Sequence, residues 1–420
     1  MKIAAFQNLG TSGAKVAFYN FLKHLRLRGH QIDLYAFDNF FEKHFDFEKI
    51  TNKIYRYSYH ILGETIEAKT YFVKVYLNHF QKTVYFRYLR QRYQNIAHAI
   101  DKGKYDCAFV HNDQYTQAPY LLRYLKTPSV YYSHEPLREI YDEALQRFND
   151  TAAPGTKTFS QNLRSMPWRC GLAASNKLIK DADRGNILSA GYVLCNSQFT
   201  KASLRKAYGI EAEVCYPGVD VEYFHPLHLP RENFVLCVGG IDVKKNHDFI
   251  IESLARIDKS RRPKFILVGP WTLKSYKQHL ITLAKKLDVN FEIKELIAQE
   301  EILQLYNRAK LVVYTPIMEP LGLVPLEAMA CGTPVVGVDE GGIKETVING
   351  KTGILVKREA ALCAQAIEKL YNDETLYNQF AREARHYVAK EWNWDRCTQR
   401  LEEFLLSFPN ALIGNPSTHD

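Results

Sequence analysis

Residues 311–338 read LVVYTPIMEPLGLVPLEAMACGTPVVGV, in which two apolar runs flank a loop and a helix-like segment. The runs at 311–315 and 334–338 predict buried strands. Between them, Gly322 allows close backbone approach, and Pro325 is tolerated only in the first turn of a helix. The stretch therefore predicts a strand–loop–helix–strand unit of a parallel sheet.

The same alternation of short apolar runs and longer amphipathic stretches extends through most of the chain and is typical of βαβ units. Strands are predicted in the first half at 2–6, 31–37, 106–110, 128–133 and 191–195. In the second half they are predicted at 233–239, 264–269, 289–293, 311–315, 334–338 and 353–356. Because ligands of open parallel sheets bind beyond the carboxyl ends of the strands, we expect an α/β protein with two doubly wound Rossmann-like domains facing across a cleft.

The domain boundaries follow from composition and periodicity. An N-terminal domain is predicted at 1–216, with a basic, aromatic insertion at about 40–105, and a proline-containing linker at 217–230. A C-terminal domain is predicted at 231–394, a closing helix of this second domain at 395–408 and a disordered tail at 409–420.

The composition favours anionic partners, because 55 basic side chains exceed 46 acidic ones and give a formal charge of +9. The eight cysteines form no CxxC pair, which predicts reduced core thiols rather than a zinc site. The first residues lack the features of a signal peptide, and no run of eighteen apolar residues exists. These features predict a cytoplasmic location, with the inner face of the membrane as its alternative.

One stretch of the insertion stands out by its charge. Between Ala68 and Ile100 there is no acidic residue, and aromatic or apolar side chains recur every fourth residue from Phe72 to Tyr88. This pattern predicts an amphipathic helix with two interpretations. The helix packs on the first domain with a solvated basic face, or it contacts an anionic membrane through about 69–93.

The loop and helix start within 311–338 carry the clearest chemistry. The backbone amides of Gly322, Leu323 and Val324 would be unpaired at the helix N-terminus, where the helix dipole favours a phosphate group. Glu319 precedes these amides and would reach a sugar attached to that phosphate. Glu327, one turn into the helix, would accept hydrogen bonds from ribose hydroxyls. The segment alone therefore has two interpretations, a phosphate site with a sugar and a ribose beside it, or two solvated surface carboxylates.

Glu319 and Glu327 are separated by seven residues, and Gly341-Gly342-Ile-Lys-Glu345 and Asn349-Gly350-Lys-Thr-Gly353 follow. This extended run resembles the retaining glycosyltransferases of family 4, which have two Rossmann-like domains of the GT-B type. The resemblance implies transfer of a hexosyl-type sugar from a nucleoside-diphosphate sugar to a glycan or lipid-linked acceptor, with retention at the anomeric carbon. It also implies that the first domain recognises the acceptor.

The resemblance carries over to individual positions elsewhere in the chain. Lys245 matches a phosphate-binding lysine, but Gly240 stands where the family usually has arginine, and Lys244 is the candidate to replace that cation. His134, at the end of a predicted strand, corresponds to a histidine beside the donor sugar, and His111 is a weaker candidate. The implied catalytic residues are His134, Glu319 and Lys245. The implied donor-binding residues are Gly13, Gly240, Lys244, Lys245, Glu319, Gly322, Leu323, Val324 and Glu327.

No cofactor or metal is implied, since the nucleotide sugar is itself a substrate. Asp181 and Asp183 form an Asp-x-Asp pair, which holds a metal in a different glycosyltransferase fold, but they lie in a polar, helix-like stretch. Two rival functions remain open. One is a sugar-nucleotide epimerase of the same architecture, which needs no acceptor. The other is a basic protein that binds nucleic acid or a membrane surface, although no nucleic-acid motif is recognised.

Overall fold

The computed structural model describes residues 1–10, 12–38, 45–58, 71–143, 145, 176–269 and 272–413, and of 71–84, 139 and 408–413 only the backbone. Contacts between residues divide the chain into two compact units. The first unit consists of Met1–Asn196, Thr200–Cys215 and Thr398–Asp420, and the second consists of Ser197–Phe199 and Tyr216–Cys397.

The first unit contains a parallel sheet of seven strands in the order β3-β2-β1-β4-β5-β6-β7. The strands are β1 (Lys2–Asn8), β2 (Gln31–Phe37), β3 (Lys53–Tyr57), β4 (Cys107–Asp113), β5 (Ser129–Ser133), β6 (Tyr192–Cys195) and β7 (Glu213–Val214). Strand order reverses between β1 and β4, so the loops that follow these two strands diverge and leave a crevice at the carboxyl edge.

Helices connect the strands of the first unit. They span Gly13–Leu27, Phe47–Ile50, Tyr71–Lys102, Arg138–Tyr141, 176–187 and Gln198–Tyr208, the last of which begins in the second unit. In the first of them Phe18, Phe21, Leu22 and Leu25 are fully buried, as their spacing predicts. Gly29, with a φ of +91°, follows the end of this helix in the left-handed region that glycine adopts readily.

The second unit contains a parallel sheet of six strands in the order β10-β9-β8-β11-β12-β13. The strands are β8 (Glu232–Val238), β9 (Lys264–Gly269), β10 (Phe291–Glu295), β11 (Ala309–Tyr314), β12 (Val335–Val338) and β13 (Gly353–Val356). Except in the edge strand β10, their middle residues are apolar and mostly buried, because helices cover both faces of a parallel sheet. Here the order reverses between β8 and β11.

The helices of the second unit follow the predicted alternation. They span His247–Leu254, Lys274–Lys286, Gln299–Arg308, Leu323–Ala330, Ile343–Thr346, Ala360–Asn372, Glu374–Glu391 and the first turn of Trp394–Ile413. The two sheets with their covering helices are the two doubly wound Rossmann-like domains predicted from the sequence.

The closing helix departs from its predicted place. It reaches Ile413 rather than 408, and from Thr398 onward it belongs to the first unit and not to the second domain. The reason is a cluster of charges, since one carboxylate, that of Glu402, contacts both Arg28 and His30 at 2.6 and 2.7 Å. Helical periodicity predicts a buried face but not which surface buries it. Residues 414–420 of the predicted tail lie outside the described residues.

Candidate active site

The proposed donor-binding residues of the second unit lie where its strand order reverses. The loop containing Gly240, Lys244 and Lys245 follows β8, and the loop containing Glu319 and Gly322 follows β11. Strands β8 and β11 are hydrogen-bonded neighbours, so both loops leave the same edge of the sheet. This is the position at which open α/β sheets bind ligands.

The loop after β8 is shaped by its backbone. Gly239 has a φ of +153°, and a Cβ added there would meet nothing within 4 Å. The side chain of Asp242 accepts a hydrogen bond from the amide of Lys245 at 3.1 Å, which closes a short 3₁₀ turn over Val243–Lys245. Asn246 stands at the N-cap of the next helix with a left-handed φ of +52°, and its side chain forms no capping hydrogen bond.

The two loops are joined by an ion pair. The ammonium of Lys245 lies 2.9 and 3.1 Å from the two carboxylate oxygens of Glu319. The side chains are 25% and 14% exposed, so the pair is only partly hydrated. Seventy-four positions separate these residues, and the structure brings together the two side chains that the sequence assigns to phosphate and to sugar.

Main-chain contacts fix the spacing between the loops. The amide of Ile317 donates to the carbonyl of Lys244 at 2.9 Å, and the hydroxyl of Thr315 donates to the carbonyl of Asn246 at 3.2 Å. The two acceptors, Lys244 and Asn246, are the chain neighbours of Lys245, and both donors belong to the segment that leads to Glu319. These bonds therefore hold Lys245 opposite Glu319. Of the predicted cations, Lys244 contributes its carbonyl to this contact and is partly buried.

Arg358 is a residue of this edge that the sequence reasoning missed. Its guanidinium donates to the carbonyls of Thr315 and Pro316, both at 2.9 Å, and forms a 2.7 Å salt bridge with Glu340. Arg358 lies two residues after β13. A basic residue just beyond the carboxyl end of a predicted strand is the sequence feature that would have indicated it. Arg358 thus supports the loop after β11 through the carbonyls of its first two residues.

Two glycines allow a close approach on the other side of Glu319. The amide of Gly342 donates to the Glu319 carbonyl at 2.7 Å. A Cβ at Gly341 would lie 2.5 Å from that carbonyl oxygen, and a Cβ at Gly342 would overlap the carbonyl oxygen of Pro320. Only residues without side chains fit against the loop here.

The predicted helix start after Glu319 is present. Gly322 is the N-cap of the Leu323–Ala330 helix with a φ of +93°, and it forms no side-chain capping bond. The first turn carries no acidic residue, and Pro325 lies within it, where its missing amide is not needed. The amides of Leu323 and Val324 belong to this first turn, whose dipole favours an anion.

Glu327 lies on that helix, and Tyr306 is its hydrogen-bond partner among the described residues. The Tyr306 hydroxyl donates to Oε2 of Glu327 at 2.7 Å. Burial raises the pKa of Glu327, and this hydrogen bond lowers it again in part. Tyr306 is itself fully buried, so it fixes the direction in which the carboxylate points.

In the first unit, the loop after β1 ends at Ser12, whose side chain accepts from the Lys15 amide and caps the helix that begins at Gly13. A Cβ at Gly10 would meet nothing within 4 Å. The loop therefore has open space beside it, as a glycine-rich ligand loop requires.

His134 directly follows β5, as predicted, and pairs with His111 on β4. Nε2 of His134 lies 3.2 Å from Nδ1 of His111. Burial lowers the pKa of His134 to about 3 and lowers that of His111 well below its usual value, so both imidazoles are neutral. The ring of His111 is fully buried and stacks on Tyr132 at 4.7 Å between centroids. The weaker of the two candidates is thus the direct support of the stronger one.

The structure gives Asp183 of the Asp-x-Asp pair hydrogen-bond partners within the first unit. Asp183 is buried and accepts hydrogen bonds from the amide of Ala118 at 3.0 Å and the hydroxyl of Tyr208 at 2.5 Å. Within the described part of the chain, no group of three or more His, Cys, Asp or Glu side chains is arranged to hold a metal ion.

The basic, aromatic stretch forms the Tyr71–Lys102 helix, although the side chains of 69–84 lie outside the described residues. From Phe86 onward one face is buried in the first unit, through Phe86, Leu89, Tyr93, Ile96, Ala97 and Ile100. Arg87 and Arg90 are exposed. This half of the helix therefore packs on the first unit through one face and exposes basic side chains on another.

Comparison with known proteins places this geometry in a family. The family model described as Glycosyltransferase Family 4 matches residues 11–223, and the one described as Glycosyl transferases group 1 matches residues 222–387. The chain belongs to glycosyltransferase family 4. Between them the two models cover both Rossmann-like domains, including the Lys245, Glu319 and Glu327 positions.

Relatives of this family 4 protein match part of its length. A probable sucrose-phosphate synthase of Thermosipho melanesiensis is 31% identical over 193 residues, which are 44% of this chain and 44% of that protein. A D-inositol 3-phosphate glycosyltransferase of Rhodococcus erythropolis is 30% identical over 233 residues, 50% of this chain and 52% of that protein. The chain spans about half the length of the curated relatives it matches.

Solved structures of similar fold cover nearly the whole chain. HepE from Anabaena, in complex with UDP and glucose, has a TM-score of 0.67 at 20% identity, covering 97% of this chain and 100% of its own. A sucrose-phosphate synthase from Thermosynechococcus elongatus has a TM-score of 0.68 at 18% identity, with coverages of 98% and 99%. At these identities the likeness shows the fold, and it confirms the predicted GT-B type.

Proposed function

We propose that this family 4 protein transfers a hexosyl-type sugar from a nucleoside-diphosphate sugar to a glycan or lipid-linked acceptor. The observation that carries the proposal is the contact between the Lys245 ammonium and both oxygens of Glu319, beside the N-terminus of the Leu323–Ala330 helix. A cation and uncapped amides suit a diphosphate, and an adjacent carboxylate suits sugar hydroxyls.

Each described side chain has a role in this proposal. Lys245 and the amides of Leu323 and Val324 stabilise the diphosphate, which gains negative charge as its bond to the sugar breaks. Glu319 accepts hydrogen bonds from sugar hydroxyls. Glu327, held by Tyr306, accepts from the ribose hydroxyls, and His134, neutral and supported by His111, positions the sugar.

We further propose that transfer proceeds with retention at the anomeric carbon. The bond between that carbon and the diphosphate oxygen breaks, and the acceptor hydroxyl oxygen bonds to the same face of the sugar. The hydroxyl proton passes to the departing phosphate oxygen. The charge compensation that other glycosyltransferases obtain from a metal would come from Lys245 and the helix amides, so chelation with EDTA should leave the rate unchanged. The anomeric configuration of the product, read by NMR, tests retention.

The experiment that tests the proposal is a thermal-shift screen with nucleoside diphosphates and their sugars, because a ligand that binds the folded state raises the melting temperature. UDP and UDP-glucose come first, since HepE has been solved with UDP-glucose. Glu319→Ala should retain the wild-type fold and lose transfer. Activity near wild type in this variant would refute the assignment of Glu319.

The same preparation separates the rivals. A sugar-nucleotide epimerase would convert the nucleotide sugar without acceptor, so product analysis with and without acceptor distinguishes it. A basic binding protein would bind an oligonucleotide more tightly than a nucleoside diphosphate. The paired charges of Lys245 and Glu319 favour the transferase over the basic binding protein, because binding phosphate alone needs no carboxylate beside the lysine. The epimerase would bind the same nucleotide sugar, so the product analysis decides against or for it.

Membrane contact is a separate proposal, supported by the exposed Arg87 and Arg90 on the Tyr71–Lys102 helix. Their charge complements a bilayer of anionic lipids, where a lipid-linked acceptor would lie. No helix in the described residues is long and apolar enough to cross a membrane. Replacing both arginines with glutamate should abolish co-sedimentation with anionic vesicles at low salt, whereas Lys285→Glu with Lys286→Glu, an exposed pair in the second unit, should not. Wild-type protein that stays in the supernatant would refute the proposal.

A further inference from the structure

The loop that carries Glu319 has a backbone that would not keep its shape unaided. Met318 has a φ of +46°, in the left-handed region that side chains other than glycine rarely adopt. Such a conformation persists only when its surroundings hold it in place. The bonds that hold this loop therefore decide where the Glu319 carboxylate stands.

Two successive carbonyls of the loop are each held by a donor. The Glu319 carbonyl accepts from the amide of Gly342 at 2.7 Å, and the Pro320 carbonyl accepts from the hydroxyl of Ser197 at 2.6 Å. Ser197 is fully buried, and it belongs with Gln198 and Phe199 to the second unit. Its hydroxyl has one proton, and that proton is committed to the loop.

Ser197 is in turn held by a carboxylate that lies three residues beyond Gly342. The two oxygens of Glu345 accept from the amides of Gln198 and Phe199 at 2.8 and 2.9 Å, and one of them also accepts from the Tyr216 hydroxyl at 2.7 Å. A carboxylate at these first amides stabilises the start of the Gln198–Tyr208 helix. The contacts thus close a ring that runs from Pro320 through Ser197 and Glu345 back to Gly342.

We propose that Ser197 and Glu345 are positioning residues for sugar recognition: the ring they form holds the Glu319–Pro320 backbone so that the Glu319 carboxylate meets the donor sugar. The proposal rests on the proposed function of Glu319. Neither side chain touches the donor in this arrangement, and both act through the loop. The backbone of Lys245, which would bind the diphosphate, is held by Asp242 and by the bond between Ile317 and Lys244, and neither bond belongs to this ring.

The ratio of the affinities for UDP-glucose and UDP therefore tests the proposal, because a loss of stability alone would not change that ratio. In Ser197→Ala the loop loses one hydrogen bond, and the affinity for UDP-glucose and kcat should each fall about five- to tenfold. The affinity for UDP should not fall, because UDP accepts nothing from Glu319 and competes with it for the Lys245 ammonium. Glu345→Gln keeps one oxygen for the helix amides and should shift the same ratio in the same direction by a smaller factor.

The matched control is Ser253→Ala. Ser253 is also fully buried in the second unit, and its hydroxyl donates to the Phe249 carbonyl at 2.7 Å. This variant should alter the melting temperature alone. The affinities are measured by calorimetry with UDP and UDP-glucose, or with the pair that the thermal-shift screen selects.

The proposal is overturned if Ser197→Ala binds the nucleotide sugar and turns it over as wild type does. It is also overturned if the affinities for UDP and UDP-glucose fall by equal factors. If Ser197→Ala does not fold, Glu345→Gln decides between the same outcomes. Wild-type protein that binds no nucleotide at all would instead refute the proposed function, so the two failures are distinguishable.

Discussion

Replacing Glu319 with glutamine should change donor binding and transfer in opposite directions. In the ligand-free protein, Glu319 neutralises the Lys245 ammonium through two contacts of 2.9 and 3.1 Å. A diphosphate that binds Lys245 must compete with this carboxylate. Glutamine keeps the size and the hydrogen-bonding oxygen of the side chain and removes its charge.

The magnitude follows from the exposure of the pair. Side chains that are 25% and 14% exposed are intermediate between surface and buried ion pairs. We take the competition as about 1 kcal/mol, which is roughly a fivefold gain in affinity for the nucleoside diphosphate. A hydrogen bond that a sugar hydroxyl donates to a charged carboxylate contributes about 1.5–3 kcal/mol, so transfer should fall by roughly 10- to 150-fold.

Calorimetric titration with UDP and initial rates with UDP-glucose measure the two effects in one variant. The matched control is Glu292→Gln, which removes a carboxylate 2.5 Å from Lys264 at the opposite end of the strands of the same sheet. It should leave both quantities unchanged. If Glu319→Gln weakens the binding of UDP, the carboxylate does not compete with the diphosphate for Lys245, and the reasoning is wrong.

Three further predictions concern packing and ionisation. Gly342→Ala should lower the melting temperature and the transfer rate together, because its Cβ overlaps the Pro320 carbonyl oxygen; a wild-type melting curve would contradict this packing. Burial lowers the pKa of His134 to about 3, so the ring stays neutral in the folded protein but protonates below about pH 6.5 in the unfolded chain. Its contribution to the free energy of unfolding should therefore be present above pH 6.5 and be lost as the pH falls below that value. Its NMR titration in the folded protein should show no midpoint between pH 5 and 9. Burial raises the pKa of Asp183 to about 7, so its contribution to stability is present below about pH 4 and lost as pH rises through 7. The melting temperature of Asp183→Asn relative to wild type should therefore rise between pH 5 and 8, and a constant difference would contradict the shift.

The strands at the two reversals of sheet order could be predicted from the sequence because each is an apolar run next to a glycine-containing loop. β3 and β7 could not. In β3, Lys53–Tyr57 lies at the sheet edge with no fully buried side chain, and β7 has only the two residues Glu213–Val214. Neither strand shows an apolar pattern, since an edge strand exposes what a central strand buries.

Among the site residues, those close together in the sequence could be predicted, and those that act on distant segments could not. Glu319, Gly322 and Glu327 lie close together in the sequence, so their spacing already predicts a shared loop and helix start. Arg358 and Glu345 act at long range, on carbonyls and amides of segments about 42 and 147 positions away. Main-chain partners leave no mark in side-chain patterns, and these supports become visible only in the fold.

The Lys245–Glu319 pair also bears on why a nucleotide sugar would be preferred to a bare diphosphate. Both charges are partly buried. When a ligand separates them, a charge that gains no new partner is only partly solvated, and this is unfavourable. A diphosphate alone pairs with Lys245 and takes from Glu319 the ammonium that both of its carboxylate oxygens contact. A nucleotide sugar offers phosphate oxygens to the first and hydroxyl donors to the second. On the proposed function, we therefore expect the pair to disfavour phosphate-containing ligands that lack a sugar, because such ligands compete for Lys245 and offer no hydroxyl donor to Glu319.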